Sequence, residues 1–171
     1  KLAGRLEVCA SKNATLPLLA ACLLTEDDVA LDKCPQIEDV SNMALILESV
    51  GCRVQRREDA LLIDPSTATG WEMPEDLSKK LRSSIFMLGP LLGRFRRATA
   101  TYPGGCEIGQ RPVDLHLSGL KALGVEVVDA HGMIYCDGTN LRGGAVMLDF
   151  PSVGATENVM MAGVTARGVT R

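Results

Sequence analysis

The chain repeats itself, and this limits its fold more than any other feature. LESVGCRV (residues 47–54) and LKALGVEV (residues 120–127) each close an apolar helix on a glycine and open a strand, 73 residues apart. Gly51 and Gly124 suit the left-handed backbone that follows a helix end. Hairpin-like runs follow, CRVQRREDALLID and VEVVDAHGMIYCD. A second pair, ATLPLLAACL (residues 14–23) and ATENVMMAGV (residues 155–164), reads as two apolar helices behind a polar entry, 141 residues apart. The period is about 70 residues, and a repeat unit must pack on its neighbours because it cannot bury its apolar face alone. Chance recurrence of common βα patterns is the competing reading.

The pattern predicts an α/β (α+β) chain. In the first period it predicts strands at 5–9, 29–33, 53–56 and 60–63 and helices at 14–24 and 38–50. In the second it predicts helices at 75–93 and 112–123 and strands at 98–101, 125–129 and 133–136. A strand at 145–149 and a helix at 156–166 begin a third. Repeats of about 1–66, 67–139 and a partial 140–171 follow, with DPSTATGWEMP (residues 64–74) as a repeat linker. Two periods and part of a third read as a piece of a longer protein, entered mid-chain at KLAGRLEV without a signal peptide.

The 171 residues carry a net charge of −3, so nothing points to nucleic acid. No apolar run reaches the ~18 residues of a membrane span. Six cysteines are scattered through mostly apolar segments with no CxxC pair, and His116 and His131 are not at metal-ligand spacing. That argues against a metal site or a disulfide framework and for buried thiols in a reducing, cytoplasmic compartment.

Four places could carry chemistry. In TYPGGCEIGQRPVDLHLSGL (residues 101–120), Cys106 stands behind Gly104 and Gly105, with Arg111 close enough in sequence to favour its thiolate. Pro112 suits a helix start, leaving N–H groups around Val113, Asp114 and Leu115 for an anion. An incidental cysteine in a turn, and Asp114 capping its own helix, are the bland alternatives. In SKNATLP (residues 11–17), Lys12 and Asn13 sit where a strand meets a helix; Lys12 could neutralise a phosphate, or Asn13 could simply cap the helix. Arg82, at the polar edge of an apolar helix, could grip a phosphate or carboxylate with two hydrogen bonds, or lie on the surface. Finally, Ser152, Val153 and Gly154 in DFPSVGATEN (residues 149–158) offer consecutive N–H groups ahead of a helix. Together these predict a phosphorylated small-molecule substrate.

KNATLP, LRSS, PGGCEIGQRPVDLHLSGL and DFPSVGATEN resemble, in this order along the whole chain, the enolpyruvyl transferases of the UDP-N-acetylglucosamine 1-carboxyvinyltransferase family. The cysteine loop is the specific part, not expected in the related shikimate-pathway transferase, which shares the repeat fold. The resemblance implies βαβαββ units forming an inside-out α/β barrel, truncated here in its third unit. It implies transfer of the enolpyruvyl group of phosphoenolpyruvate to the 3′-hydroxyl of UDP-N-acetylglucosamine with release of phosphate, in peptidoglycan synthesis and without a cofactor.

It further implies Cys106 as proton donor and covalent partner of phosphoenolpyruvate, alkylated by fosfomycin. Lys12, Asn13 and Arg111 would bind phosphoenolpyruvate. Arg82, Arg111, Pro112, Val113, Asp114, Leu115, Pro151, Ser152, Val153 and Gly154 would bind the sugar nucleotide. Two positions depart from the family pattern: Ala10 stands where glycine is expected, and Phe150 where some members have lysine. The family's catalytic aspartate, further arginines and second domain fall beyond Arg171, so this chain alone is expected to be inactive. The alternatives are a non-catalytic sugar-nucleotide-binding module, a shikimate-pathway transferase, and a thiol redox sensor built on Cys106.

Overall fold

A computed structural model describes residues 2–6, 8, 10–102 and 113–171. Cys9 and the segment 103–112, which includes Cys106, Arg111 and Pro112, lie outside the described residues.

The strands form two three-stranded antiparallel sheets. In the first, β1 (Val29–Leu31), β2 (Arg53–Arg57) and β3 (Ala60–Asp64) take the order β1-β3-β2. In the second, β4 (Arg97–Thr101), β5 (Glu126–Ala130) and β6 (Met133–Asp137) take the order β4-β6-β5. The registers correspond: Val54 faces Ile63, and Val127 faces Cys136. In each sheet a helix, α2 (Glu38–Ser49) or α5 (Asp114–Ala122), lies between the first strand and the hairpin, β2–β3 or β5–β6, that follows it. Gly51 and Gly124 take φ of +102° and +85° just after those helices. A Cβ at either would crowd a backbone carbonyl, of Thr67 at 3.0 Å and of Asn140 at 2.7 Å, so the left-handed turn and the close approach both call for glycine.

Three more helical segments run together through the core. They are α1 (Lys12–Ala21), a 3-10 turn (Arg82–Met87) continuing into α4 (Leu88–Phe95), and α6 (Val153–Val164). Leu16, Leu19, Met87, Leu88, Leu91, Leu92 and Ala162 are almost wholly buried between them and the sheets. Two arginines join the C-terminal ends. Arg94 donates to Leu23 O (3.2 Å) and Thr25 O (2.7 Å), and Arg96 donates to Thr165 O (2.9 Å). Cations at these ends complement the negative pole of each helix, and the carbonyls left without helical partners are satisfied. The three segments therefore run in the same direction, with their N-terminal ends together at the opposite side.

The structure corrects several expected boundaries. The described residues of 5–9 are exposed and form no strand; they pair with no sheet. No strand forms at 145–149 either. Pairing there is limited to a short parallel contact with the chain end: Gly143 N to Arg167 O (2.7 Å), Val146 N to Arg171 O (2.8 Å) and Arg171 N to Gly144 O (3.0 Å). The expected helix 75–93 is broken. α3 (Glu75–Lys80) ends because Leu81 is extended (φ −121°, ψ 112°), and the 3-10 turn intervenes before α4. Pro90 is tolerated because it lies in the first turn of α4, where its missing N–H is not needed. α6 starts three residues earlier than expected, with Ser152 as its N-cap.

The four described cysteines Cys22, Cys34, Cys52 and Cys136 are free and buried. Burial pushes the thiols of Cys22 and Cys136 up to about 12 and that of Cys52 up to about 11, so they pack as small apolar groups. Among the described residues no helix is long and apolar enough to cross a membrane, and no three His, Cys, Asp or Glu side chains cluster as metal ligands.

Candidate functional site

The N-terminal ends of the three parallel helical segments open onto one cleft of about 530 Å³. Lys12 and Asn13 begin α1, Arg82 and Ser83 begin the 3-10 turn, and Ser152, Val153 and Gly154 begin α6; all line the cleft. Three segments predicted separately from the sequence thus form one wall. Each helix start presents N–H groups without intrahelical partners and the positive pole of its dipole. Three such ends beside Lys12, Lys80 and Arg82 suit a multiply charged anion such as a phosphate ester. Asp39 and Glu157 are the acidic members of the lining.

Local detail shows how each end is prepared. Ser11, not Asn13, occupies the N-cap of α1, and its side chain makes no capping bond; its carbonyl accepts from Ala14 N, Thr15 N and Thr15 Oγ1. Asn13 therefore keeps its side chain for the cleft. Lys12 Nζ reaches Asp39 Oδ2 at 2.7 Å, an exposed pair that holds the ammonium at the rim while costing a ligand little to break. At α6, Ser152 Oγ accepts from Ala155 N at 3.3 Å. Gly154 lets this turn come against two rings: a Cβ there would meet Phe86 Cε1 at 3.0 Å and His116 Cε1 at 3.3 Å.

The segment after the undescribed loop divides. Val113 is buried in the core, and neither Asp114 nor Leu115 lines the cleft. Asp114 is the first residue of α5, and no side chain caps that helix. Pro151 is exposed beside the α6 wall without lining it.

The element α5 contributes instead is His116, which sequence reasoning considered only as a metal ligand. Burial first, and the Arg82 guanidinium second, hold its imidazole down to about 4, so it is neutral near pH 7. Asp39, Lys80, Phe86 and Glu157 were also missed. For Glu157 a signal existed, because it lies three residues after Gly154 and so shares its helix face. Burial raises the Glu157 carboxyl above the usual range.

Comparison with known proteins bears on the family and the fold. The EPSP synthase (3-phosphoshikimate 1-carboxyvinyltransferase) family matches residues 1–171. UDP-N-acetylglucosamine 1-carboxyvinyltransferase 2 of Caldanaerobacter subterraneus is 45% identical over 99% of this chain and 41% of its own length. The corresponding protein of Listeria monocytogenes is 42% identical over 99% of this chain and 40% of its own. The chain thus spans about two fifths of these curated relatives. Among solved structures, the enolpyruvyl transferase NikO from Streptomyces tendae superposes with a TM-score of 0.80 at 20% identity, covering 93% of this chain and 38% of its own. EPSP synthase from Acinetobacter baumannii superposes with a TM-score of 0.72 at 16% identity, covering 96% of this chain and 39% of its own. These two likenesses establish the repeated α/β fold of the enolpyruvyl transferases.

Proposed function

The chain belongs to the EPSP synthase family, and we propose that it forms one wall of the active-site cleft of an enolpyruvyl transferase acting on UDP-N-acetylglucosamine and phosphoenolpyruvate. The observation that carries this reading is the convergence of three helix starts with Lys12, Lys80 and Arg82 on one cleft. The names of the curated relatives supply the substrate.

In this reading Lys12, Asn13 and Arg111 hold phosphoenolpyruvate. Arg82, the segment Arg111, Pro112, Val113, Asp114 and Leu115, and the segment Pro151, Ser152, Val153 and Gly154 hold the sugar nucleotide. Val113, being buried, acts through its backbone. Cys106 delivers a proton to the methylene carbon of phosphoenolpyruvate. That leaves C2 electrophilic; the sugar 3′-hydroxyl adds there and gives its proton to a base, and loss of phosphate from C2 together with one proton from the new methyl group restores the double bond of the enol ether. The helix starts and cations stabilise charge growing on the phosphate, the electrostatic contribution that is usually the largest in such a site. The glycines before Cys106 fit a loop that closes over bound sugar nucleotide. A cytoplasmic step of peptidoglycan synthesis, and fosfomycin alkylation at Cys106, go with the same reading. So do repeat boundaries near residues 66 and 139, and a second domain that supplies the base for the sugar hydroxyl.

Calorimetric titration with UDP-N-acetylglucosamine tests the reading, with shikimate 3-phosphate as the competing ligand. Saturable binding of the sugar nucleotide, weakened at least tenfold in Lys12→Ala together with Arg82→Ala, is expected. Preference for shikimate 3-phosphate would reassign the substrate. The 171-residue chain is expected to release no phosphate from the two substrates together; measurable turnover would show that the second domain is dispensable.

A further inference from the structure

Asn158 is a fully buried amide with every bond assigned. Its Oδ1 accepts from Gly89 N at 2.5 Å, and its Nδ2 donates to Ile85 O at 2.9 Å. A backbone N–H can only donate and a backbone carbonyl can only accept, so these two contacts fix which end of the amide is which. The second Nδ2 hydrogen points to His116 Nδ1, 3.1 Å away. That ring nitrogen must therefore be an acceptor, and the proton of the neutral ring must sit on Nε2. Protonation of Nδ1 would set two donors against each other inside the fold. Nε2 has no hydrogen-bond partner among the described residues, while His116 lines the cleft against Gly154 at the start of α6.

We propose that Asn158 is a positioning residue that holds His116 as the Nε2–H tautomer, and that this N–H is a further donor of the cleft to a phosphoryl oxygen of the bound ligand. The proposal rests on the anion-binding reading of the cleft. A neutral donor fits there physically. Lys12 from α1, Lys80 from α3 and Arg82 from the 3-10 turn already supply positive charge, and an imidazolium beside them would be repelled. Asp39 from α2 and Glu157 from α6 complete the charged groups facing this space among the described residues. The N–H adds direction without adding charge. Gly89 belongs to the same device, since a Cβ there would run into Asn158 O and Oδ1, and α4 can approach α6 only without one.

The test is a long-range 1H–15N correlation spectrum of the imidazoles in the 171-residue chain, which has only two histidines. It is recorded free and with UDP-N-acetylglucosamine, alongside the backbone amides of the cleft. The expected result is a His116 with protonated Nε2 and bare Nδ1, whose Nε2 resonance moves on ligand addition. A protonated Nδ1, or an imidazolium at neutral pH, overturns the tautomer assignment. The expected tautomer with a static Nε2, while the amides of Lys12 and Gly154 move, overturns the donor role and leaves the cleft reading intact. If nothing in the cleft moves, both readings fall.

Variants give a second readout that a structural role would not move. His116→Gln keeps an acceptor for Asn158 and an N–H for the ligand, and should retain affinity within about threefold, whereas His116→Phe keeps the ring and should lose about tenfold. Equal affinity of the Phe and Gln variants, each shown to be folded, overturns the proposal.

Discussion

The outer sheets and the inner helix ends of this molecule follow opposite rules. On the sheets, repeat one and repeat two match almost atom for atom. Asp64 Oδ1 accepts from Ser66 N (2.9 Å) and Ser66 Oγ (2.6 Å); 73 residues on, Asp137 Oδ1 accepts from Thr139 N (2.8 Å) and Thr139 Oγ1 (2.6 Å). Glu58 and His131 hold the same left-handed corner of their hairpins, with φ of 52° and 55°. At the cleft the repeats share the placement of helix starts and almost nothing else: Lys-Asn, Arg-Ser and Val-Gly occupy corresponding ends. Repetition marks the parts that hold the fold, and in the proposed reading its loss marks the parts that meet a ligand.

The largest expected effect that would sharpen this contrast is at the helix junction. Gly89→Ala should cost about 3 kcal/mol, because its Cβ meets the Asn158 backbone and amide and neither can retreat. Denaturant unfolding measures it, and a loss below about 1 kcal/mol would mean that α4 and α6 are free to separate.

Next in size is a pH effect on the cleft side. Because the folded His116 titrates at about 4, below its ordinary value of 6.5, the unfolded chain binds the extra proton between those values. Stability from this group is therefore complete well above pH 6.5 and lost as pH falls through 4, by roughly 3 kcal/mol at most. The raised Glu157 carboxyl works in the opposite direction, gaining stability as pH falls. His116→Gln should flatten the fall seen in unfolding midpoints between pH 6.5 and 4, and an unchanged slope would assign the fall to another group.

The smallest effects compare one side with the other directly. Asp64→Ala and Asp137→Ala should each lower stability slightly and to the same extent and leave ligand binding alone, since matched turns should respond alike. Lys12→Ala should do the reverse: it removes an exposed ion pair worth about 0.5 kcal/mol or less, yet weakens binding. A stability loss at Lys12 matching that at Asp64 would erase the distinction.

What the sequence made legible follows the same division. The two hairpins could be read because alternating strands bounded by Gly51 or Gly124 are local signals. The polar clusters at 12–13, 82 and 152–154 could be read as anion-binding stretches, but their meeting in one cleft is a property of helix packing. The break at Leu81 was illegible because 75–93 is apolar at helical spacing throughout, and the extended backbone at one residue leaves no composition signal. His116 was hidden for a related reason. Its role depends on Asn158, 42 residues away in the chain and 3.1 Å away in space.

The central claim, that the non-repeated helix ends form the ligand site, is tested most directly by mapping backbone amide shifts of the 171-residue chain as UDP-N-acetylglucosamine is added. The account predicts shifts at Lys12–Asn13, Arg82–Ser83 and Ser152–Gly154, with the matched turns at Asp64–Ser66 and Asp137–Thr139 silent. Shifts centred on the sheets, or none at the helix starts of a folded chain, would contradict it.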